Sequence, residues 1–495
     1  MTLLARIIFG ATLIATTSAA HAVSLSPNGL GQVLIYPYYT VNKDQATLIS
    51  IVNASDVGKA ATVVVMEGYN GRSVLDFNLF LSPHDVWTAA ITQSGDESSA
   101  AQITTTDTSC TDPQLSGHTQ VFRTAGFDGS GGDPPGADAG PHTTARTREG
   151  YIAVFARGDI APGSALDEAT THTQGGTPGG GVPPGCATLN DGMVAESVVA
   201  PTNGIYGSGT IIDVGLGTFF GYNADALANY SDLPLFTSAA ILFQPFVTAN
   251  NSEATNGVAR SYSSNAEGKP VVADWAYGED AVSAALMADS IQNEYLVTST
   301  LGANTDWVVT FPTKALYVDS LYADVPRAPF AEAFQAPGVS RVLTVANHYD
   351  REEGSSQQPP ACDTEPCAAP PLLYLAYEVN VLSYVAGSAE SFASGTPSRV
   401  LGSMLTYSAL DPWGGSGHTR LDLASGDGGH FLGGGVDPDG NDVFVTGLPA
   451  VGFMVYNVIN TNAQPGLLAN YGGAFRHRAV SSCIGAAPCA SGAQQ

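Results

Sequence analysis

Three side chains that carry oxygen stand at alternate positions in the segment DPDGND: Asp437, Asp439 and Asn441. Alternating oxygen ligands are typical of loops that bind Ca²⁺, a hard cation that takes six to eight oxygens. The EF-hand pattern fails, because Asp442 stands where that loop requires glycine and Leu448 where it requires glutamate. Calcium is therefore a candidate ligand of this segment, and an ordinary Asp-Gly turn is the alternative that its composition favours.

Histidines in two loop-rich regions are the other candidate metal ligands. Zinc sites need ligands that converge at about 2.0 to 2.2 Å on one metal, and no C-x-x-C or H-E-x-x-H spacing predicts such convergence here. We interpret these side chains as ordinary loop histidines, and we predict no cofactor apart from the calcium candidate. The residues concerned are His118, His142, His172, His418 and His430.

Sequence signatures of catalysis are missing from the chain. It contains no G-x-S-x-G elbow, no phosphate-binding P-loop and no dinucleotide fingerprint. The carboxylate pairs that hydrolyse glycosides have no sequence spacing of their own, so a polysaccharide hydrolase stays open as an alternative. Four aromatic residues, Tyr36, Tyr38, Tyr39 and Trp87, are either a platform for sugar stacking or core residues, and strand preference favours the core.

Six cysteines form an even set that predicts disulfides in an exported chain. Cys362 and Cys367 bracket DTEP, and Cys483 and Cys489 bracket IGAAP, so each pair can close a short loop. Cys110 and Cys186 are then left to pair with each other. Other connectivities stay open, because spacing alone does not fix them.

The charge balance limits the partners of the protein. Acidic residues outnumber basic ones by 45 to 18, and the formal net charge is −27. Such a chain repels nucleic acid and anionic membrane surfaces, which leaves cations, uncharged glycans and other proteins. We therefore expect self-association, or a cell-surface glycan or protein, as partner; plain solubility is the alternative explanation of the charge.

The first 22 residues, MTLLARIIFGATLIATTSAAHA, predict a secretory signal peptide. They combine one basic residue, Arg6, with an apolar stretch and a small-x-small ending at Ala20 and Ala22. No later segment reaches the roughly 20 apolar residues of a membrane-spanning helix. The mature chain is expected to begin near Val23, without a transmembrane segment, and to be extracellular, on the cell surface or in the periplasm.

Short β-branched and apolar runs, separated by turn residues, predict a mainly β fold. We expect antiparallel, sandwich-like units with long Gly/Pro-rich loops and one or two short helices. Pro37 fits only an edge strand or a bulge, because it has no N–H for a sheet ladder. We place it on an edge strand, whose unpaired backbone groups would accept a strand from another copy or a partner; an edge covered by the chain's own loops is the alternative.

One helix and two domains complete the prediction. Residues 279–295 have a helical apolar period, with Ala284, Met287, Ala288, Ile291 and Tyr295 on one face. The domains are a β-rich unit over 23–325, with a loop-rich insertion at about 110–200, and a second β-rich unit over 326–495. One large β unit is the alternative.

Several strand and turn segments are similar to those of another group of proteins. GQVLIYPYYT, the run from TLISIVN to DFNLFLSPHDVWTAA, DWVVTFPTK and LLANYGGAFRHR resemble uncharacterised secreted β-rich proteins of Gram-negative bacteria. The resemblance spans both ends of the mature chain. It implies export and β architecture, and it implies no site residue.

Two function classes follow from the sequence. The first is a non-enzymatic extracellular or cell-surface protein, structural or adhesive, whose β scaffold presents acidic loops. The second is a secreted polysaccharide hydrolase with carboxylates in its loops. The first is favoured, because every strong signal in the chain concerns scaffold and export.

Overall fold

The computed structural model describes most of the chain. The described residues are 21–96, 98–130, 138–173, 181–235, 240, 243–251, 258–264, 269–355, 373–384, 396–410, 412, 414–426, 428–460, 463–481 and the backbone of 484–485. The prediction of a mainly β fold is confirmed, since strands make up 47% and helices 10%. Within these residues, no helix has the length and apolar character needed to cross a membrane.

Helices are short and number four in the described chain, where one or two were predicted. Ser164 caps the first helix by accepting a hydrogen bond from the Asp167 amide, and Asn190 caps the second through the Met193 amide. Both caps satisfy backbone donors that helix ends leave unpaired. The helices are α1 (Ala165–Thr170), α2 (Asp191–Ser197), α3 (Gly278–Leu286) and α4 (Ala315–Val318).

The N-terminal part of the chain forms two antiparallel sheets. One has the strand order β1-β14-β2-β10-β4-β5-β8, with β11 beside β10, and the other has the order β13-β12-β3-β6-β7-β9. They pack as a sandwich, with Phe77 of the first sheet 5.4 Å from Trp87 of the second between ring centroids. The strands are β1 (Ser24–Leu25), β2 (Val33–Thr40), β3 (Gln45–Asn53), β4 (Gly58–Glu67), β5 (Ser73–Leu81), β6 (Val86–Gln93), β7 (Ala101–Thr104), β8 (Cys110–Asp112), β9 (Thr119–Val121), β10 (Glu149–Ile160), β11 (Val198–Val199), β12 (Ile205–Asp213), β13 (Thr218–Asn223) and β14 (Asp225–Ala228).

The C-terminal part forms three five-stranded sheets and one two-stranded ribbon. Their orders are β15-β16-β25-β26-β31, β21-β20-β24-β18-β30, β23-β22-β19-β28-β29 and β17-β27. The strands are β15 (Ala259–Ser264), β16 (Pro270–Trp275), β17 (Met287–Ala288), β18 (Ser290–Leu296), β19 (Ala303–Thr310), β20 (Val342–Asp350), β21 (Leu373–Leu375), β22 (Val379–Tyr384), β23 (Ala409–Leu410), β24 (Ser416–Asp422), β25 (Phe431–Val436), β26 (Asp442–Thr446), β27 (Leu448–Pro449), β28 (Val451–Val458), β29 (Tyr471–Arg476), β30 (Arg478–Val480) and β31 (Ile484–Gly485).

The edge position predicted for the first long strand is wrong. Strand β2 lies between β14 and β10, and every one of its residues is buried. Pro37 sits where the register with β10 shifts between Tyr36 and Tyr39, so the missing N–H falls in a bulge. Its carbonyl accepts a hydrogen bond of 2.6 Å from the Thr310 hydroxyl of the C-terminal part. This strand therefore has no free edge for a second copy.

The helix predicted over 279–295 ends much earlier. Helix α3 stops at Leu286, and the residues that follow form β17 and β18. Ile291 and Tyr295 satisfy a helical period, but they also satisfy the two-residue period of a strand, in which Asn293 is buried between them. These residues form a strand because β18 pairs with β24 and β30.

Sheet pairing crosses the domain boundary predicted near residue 325. Strands β18 and β19 precede that position, yet they pair with β24, β30, β22 and β28, which follow it. Buried residues from both parts form one continuous core cluster. The boundary at 325 does not follow the sheets, and the division of the chain into domains stays a prediction.

A disulfide joins Cys110 to Cys186, as the spacing argument predicts, with 5.1 Å between their Cα atoms. It lies in a small second core beneath α1 and α2, made of Ala60, Phe80, Cys110, Ile160, Leu166, Val194 and Val198. The other four cysteines, Cys362, Cys367, Cys483 and Cys489, lie outside the described residues.

Candidate interaction surface

The calcium candidate lies at the turn between β25 and β26. The Asp437 carboxylate accepts hydrogen bonds from the backbone amides of Asp439 (3.0 Å) and Asn441 (2.7 Å), and from the Asn441 side chain (2.9 Å). These bonds, led by the one from the Asn441 side chain, lower the pKa of Asp437. Such bonds close an ordinary turn. Calcium binding here stays a prediction.

The candidate histidines occupy separate places. His172 lies 2.9 Å from the Ser82 hydroxyl, and the His430 ring bonds the Leu343 carbonyl at 3.1 Å. His418 stacks on Tyr349, with ring centroids 4.7 Å apart, while His118 and His142 are exposed. Across the part of the chain that the structure describes, no group of three or more His, Cys, Asp or Glu is placed to hold a metal.

The aromatic residues of the first strands belong to the core. Tyr36, Tyr38, Tyr39 and Trp87 are all 0% exposed, so none of them can stack on a sugar. The Tyr38 hydroxyl donates to the buried Glu149 at 2.7 Å, and the Tyr39 hydroxyl donates to the Thr147 carbonyl at 2.9 Å.

Lys314 is the buried group that most resembles a catalytic residue. Burial lowers its pKa to about 7, and its Nζ lies 5.5 to 5.8 Å from the centroids of three phenylalanine rings. A lysine of low pKa can act as a nucleophile only if substrate reaches it. Lys314 is 0% exposed and donates to the carbonyls of Ser340 and Tyr377, so we assign it a structural role.

Buried ion pairs connect the N-terminal sandwich to the C-terminal part. Arg146 pairs with Glu67 at 2.8 Å and with Asp138 at 2.6 Å. Arg72 pairs with Asp138 at 2.7 Å and with Asp319 at 2.9 Å. A buried pair of this kind fixes the arrangement of the elements that carry it, because separating the charges leaves one of them unpaired away from water.

The outer face of the sheet β13-β12-β3-β6-β7-β9 differs from the rest of the surface, and we call it the neutral face. Successive strands are paired so that outward residues meet outward residues, as in the row Gly221, Thr210, Leu48, Ala90 and Thr104. Side chains opposite each other in an antiparallel sheet lie on the same side. None of the outward residues is charged: Ala46, Leu48, Ser50, Val52, Val86, Thr88, Ala90, Thr92, Gln102, Thr104, Thr119, Val121, Tyr206, Ser208, Thr210, Ile212, Phe219, Gly221 and Asn223.

The neutral face carries protruding aromatic side chains, which we call knobs, and a groove. A shallow groove of about 420 Å³ runs over its middle and is lined by small and hydroxyl-bearing residues such as Ser50, Ala90 and Ser208. Near one margin, Phe219 is 65% exposed and Tyr206 is 44% exposed. By the register they lie near opposite ends of β12, about 20 Å apart, so they are two separate apolar points on the face.

Sequence reasoning missed this surface, although its signal is present. Strands β3, β6 and β12 each alternate buried and outward residues, and their outward positions contain no Asp, Glu, Lys or Arg. Only the pairing shows that these strands lie side by side.

Comparisons with protein-family models, curated proteins and solved structures find no match. The surface chemistry is therefore the basis for assigning a function.

Proposed function

We propose that the protein is an exported, non-enzymatic structural or adhesive β protein that associates with further copies of itself through the neutral face. The observation that carries this proposal is an uncharged face across a whole six-stranded sheet in a chain whose net charge is −27. Exposed charges of one sign repel, so two copies meet at least cost where neither presents a charge.

Shape supports a second copy as the occupant. A two-fold contact uses the same patch on both subunits, so the patch must be complementary to itself. The neutral face meets this condition because it carries both the protruding Phe219 ring and the groove beside Ser50 and Ala90.

The size of the face predicts a reversible association. Six strands about 4.8 Å apart, each contributing about 20 Å of length, give about 500 Å² from each copy. The total of about 1,000 Å² is near the lower limit of specific interfaces. We therefore expect dimers that form and separate with protein concentration.

Export is the second part of the proposal. Residues 1–20 of the predicted signal peptide lie outside the described residues. Val23, the first residue of the predicted mature chain, is fully buried, and its N–H donates to the Arg260 carbonyl at 2.7 Å. Ala22, on the other side of the predicted cut, is buried as well, so the cleavage position stays part of the proposal. Fractionation of the producing cells tests export, and recovery of an uncleaved chain in the cytoplasm would overturn it.

Self-association is tested by sedimentation velocity on residues 23–495. Leu48→Asp places a charge in the groove, and Phe219→Ala removes the knob; each is expected to weaken dimerisation about tenfold or more, which corresponds to about 1.4 kcal/mol. Leu301→Asp is the matched control, because Leu301 is an equally exposed leucine in the C-terminal part. Added salt should strengthen the wild-type dimer, since it screens the net repulsion without breaking ion pairs.

Two results would contradict this assignment. A wild-type protein that stays monomeric at high concentration and high salt would exclude self-association. Equal dimerisation of Leu48→Asp and Leu301→Asp would place the contact elsewhere.

The hydrolase alternative gains no support from three grooves of the described chain. Glycoside hydrolysis needs two carboxyl groups on either side of the scissile bond. The groove of the neutral face has no carboxylate, a cleft beside β14 has Asp225, and a groove beside β18 has Glu294. We therefore do not advance it.

A further inference from the structure

An aromatic groove of about 450 Å³ lies between the end of β18 and the pair β28–β29, far along the chain from the neutral face. Tyr471 and Phe475 on its wall are 55% and 49% exposed. The ring of Tyr456 is parallel to that of Phe475, with an interplanar angle of 6° and centroids 6.2 Å apart. Exposed rings of this size favour contact with a ligand, since their hydration is unfavourable.

Glycine keeps the space beside these rings open. Gly473 lies between the two aromatic residues of β29, and a Cβ there would be 3.0 Å from the Phe475 ring and 3.2 Å from the Tyr456 ring. A side chain at this position would fill part of the groove. The groove therefore keeps flat apolar walls with room beside them.

Polar groups stand on the same groove. Glu294 and Arg351 are among its lining residues, together with the Ser416 hydroxyl. Flat apolar rings with a few hydrogen-bonding groups suit a saccharide, whose ring has an apolar C–H face and hydroxyls at its edge.

Arginines beside the groove indicate the charge of that saccharide. In the described chain, the guanidinium groups of Arg351, Arg420 and Arg478 make no ion pair or hydrogen bond, and all three are exposed. By contrast, the basic residues bound to carboxylates are Lys59, Arg72, Arg123, Arg146, Arg260, Arg327, Arg341 and Arg476. Unpaired arginines are unexpected in a chain with so many acidic residues.

The three arginines lie on one sheet, with the position of Arg351 two outward steps, about 14 Å, from the row of Arg420 and Gln292. Arg420 and Arg478 are the two cross-strand neighbours of Gln292 in β18, and Glu294 of the groove is the next outward residue of that strand. Arg351 directly follows β20, the other neighbour of β24. Successive outward residues of a strand are about 7 Å apart, within reach of an arginine side chain.

Two of the acidic residues near the arginines close turns. Asp350 accepts hydrogen bonds from the amides of Glu352 and Gly354, and Asp422 accepts from those of Ala424 and Ser425. More distant carboxylates are screened over about 8 Å at physiological salt. The turn bonds leave Asp350 and Asp422 charged, and Glu352 and Glu353, directly after Arg351, are exposed as well. The case for an anion therefore rests on the unpaired guanidinium groups and not on the net local charge.

We propose that the aromatic groove and its three arginines bind an anionic saccharide. The sugar rings would stack on Tyr471 and Phe475, and acidic groups on successive rings would pair with Arg351 and Arg420, because guanidinium groups bind carboxylate, sulfate and phosphate with two parallel hydrogen bonds. This site does not depend on the proposed self-association, which uses another sheet.

Titration calorimetry of residues 23–495 tests the site with two probes that share one sugar backbone. Oligogalacturonate carries a carboxylate on each ring, and its methyl ester has the same rings without the charge. We expect the acid to bind at least about tenfold more tightly than the ester. Tyr471→Ala with Phe475→Ala should weaken binding of both probes about tenfold or more, while Arg351→Gln with Arg420→Gln should remove the preference for the acid.

Two matched controls change the same kinds of exposed residue away from the groove. Tyr206→Ala removes an exposed ring on the neutral face, and Arg341→Gln removes an exposed arginine that is paired with Glu332. Both should bind as the wild type does, and circular dichroism verifies that every variant is folded. Failure of the acid to bind, or an acid preference unchanged in Arg351→Gln with Arg420→Gln, would overturn the proposal. Loss of self-association alone leaves these readouts unaffected.

Discussion

In acid, the wild-type protein is expected to lose more stability than a variant in which His348 and His477 are both replaced by glutamine. Burial lowers the pKa of His348 to about 4 and that of His477 to about 3. The His477 ring donates to the Val308 carbonyl at 2.9 Å and accepts from the Asn293 amide at 3.2 Å. The bond from Asn293 needs the neutral ring, because a protonated ring has no lone pair left to accept it, and burial disfavours the charged ring.

The direction of the change in stability with pH follows from proton uptake by the unfolded chain. Between about pH 6.5 and pH 4 the unfolded chain protonates these histidines while the folded chain keeps them neutral, so stability falls as the pH falls. The relative stability of the variant should rise by on the order of 4 kcal/mol between about pH 7 and pH 4.5. Urea unfolding at the two pH values measures this difference.

Comparison between variant and wild type removes the effect of other buried groups. Asp225, Glu149 and Glu378 have pKa values raised by burial, which acts in the opposite direction, but these groups are the same in both proteins. His118→Gln, at an exposed histidine, is the control and should follow the wild type. Parallel pH profiles for the wild type and the double variant would show that these histidines are not neutral in the fold.

Replacement of Cys110 and Cys186 by serine is expected to lower the free energy of unfolding by about 4 kcal/mol. The bond joins residues 76 positions apart, and in the chain-entropy model the loss of so long a closed loop greatly increases the freedom of the unfolded chain. Cys110 is 1% exposed, so the substitution also places a hydroxyl in the small core beneath α1 and α2.

The effect should be largest around that small core. Limited proteolysis of the double serine variant is expected to cut first near α1 and α2, while the main core cluster, which does not include Cys110, stays protected. Because the serine variant is compared with the wild type under oxidising conditions, the other four cysteines are in the same state in both proteins. A change below about 1 kcal/mol would mean that the bond contributes little to stability.

The sequence by itself determined the class of the fold and its one observed disulfide. Runs such as ATVVVMEGY and SVLDFNLFL contain β-branched and aromatic residues bounded by turn residues, which predicts the strands β4 and β5. The Cys110–Cys186 pair followed from the short loops that the other cysteines can close. Strand formation is a local property, whereas this pairing was predicted by elimination and left other connectivities open.

Only the tertiary structure decided where the strands lie. Pro37 allowed an edge or a bulge, and the partners of β2 on both sides selected the bulge. Residues 287–296 allowed a helix or strands, and pairing with β27, β24 and β30 selected strands. In both places the local pattern satisfied two structures, and contacts distant in sequence chose between them.

The candidate surfaces depend on the same distant contacts. Each strand of the neutral face shows an uncharged outward side on its own, but β3 lies between β12 and β6, whose residues are far apart in the chain. Likewise, Arg420 and Arg478 flank Gln292 only because β24 and β30 pair with β18. Sequence fixes which side of a strand a residue occupies, whereas strand order and register fix what it stands beside, because they are set by burial of the whole core.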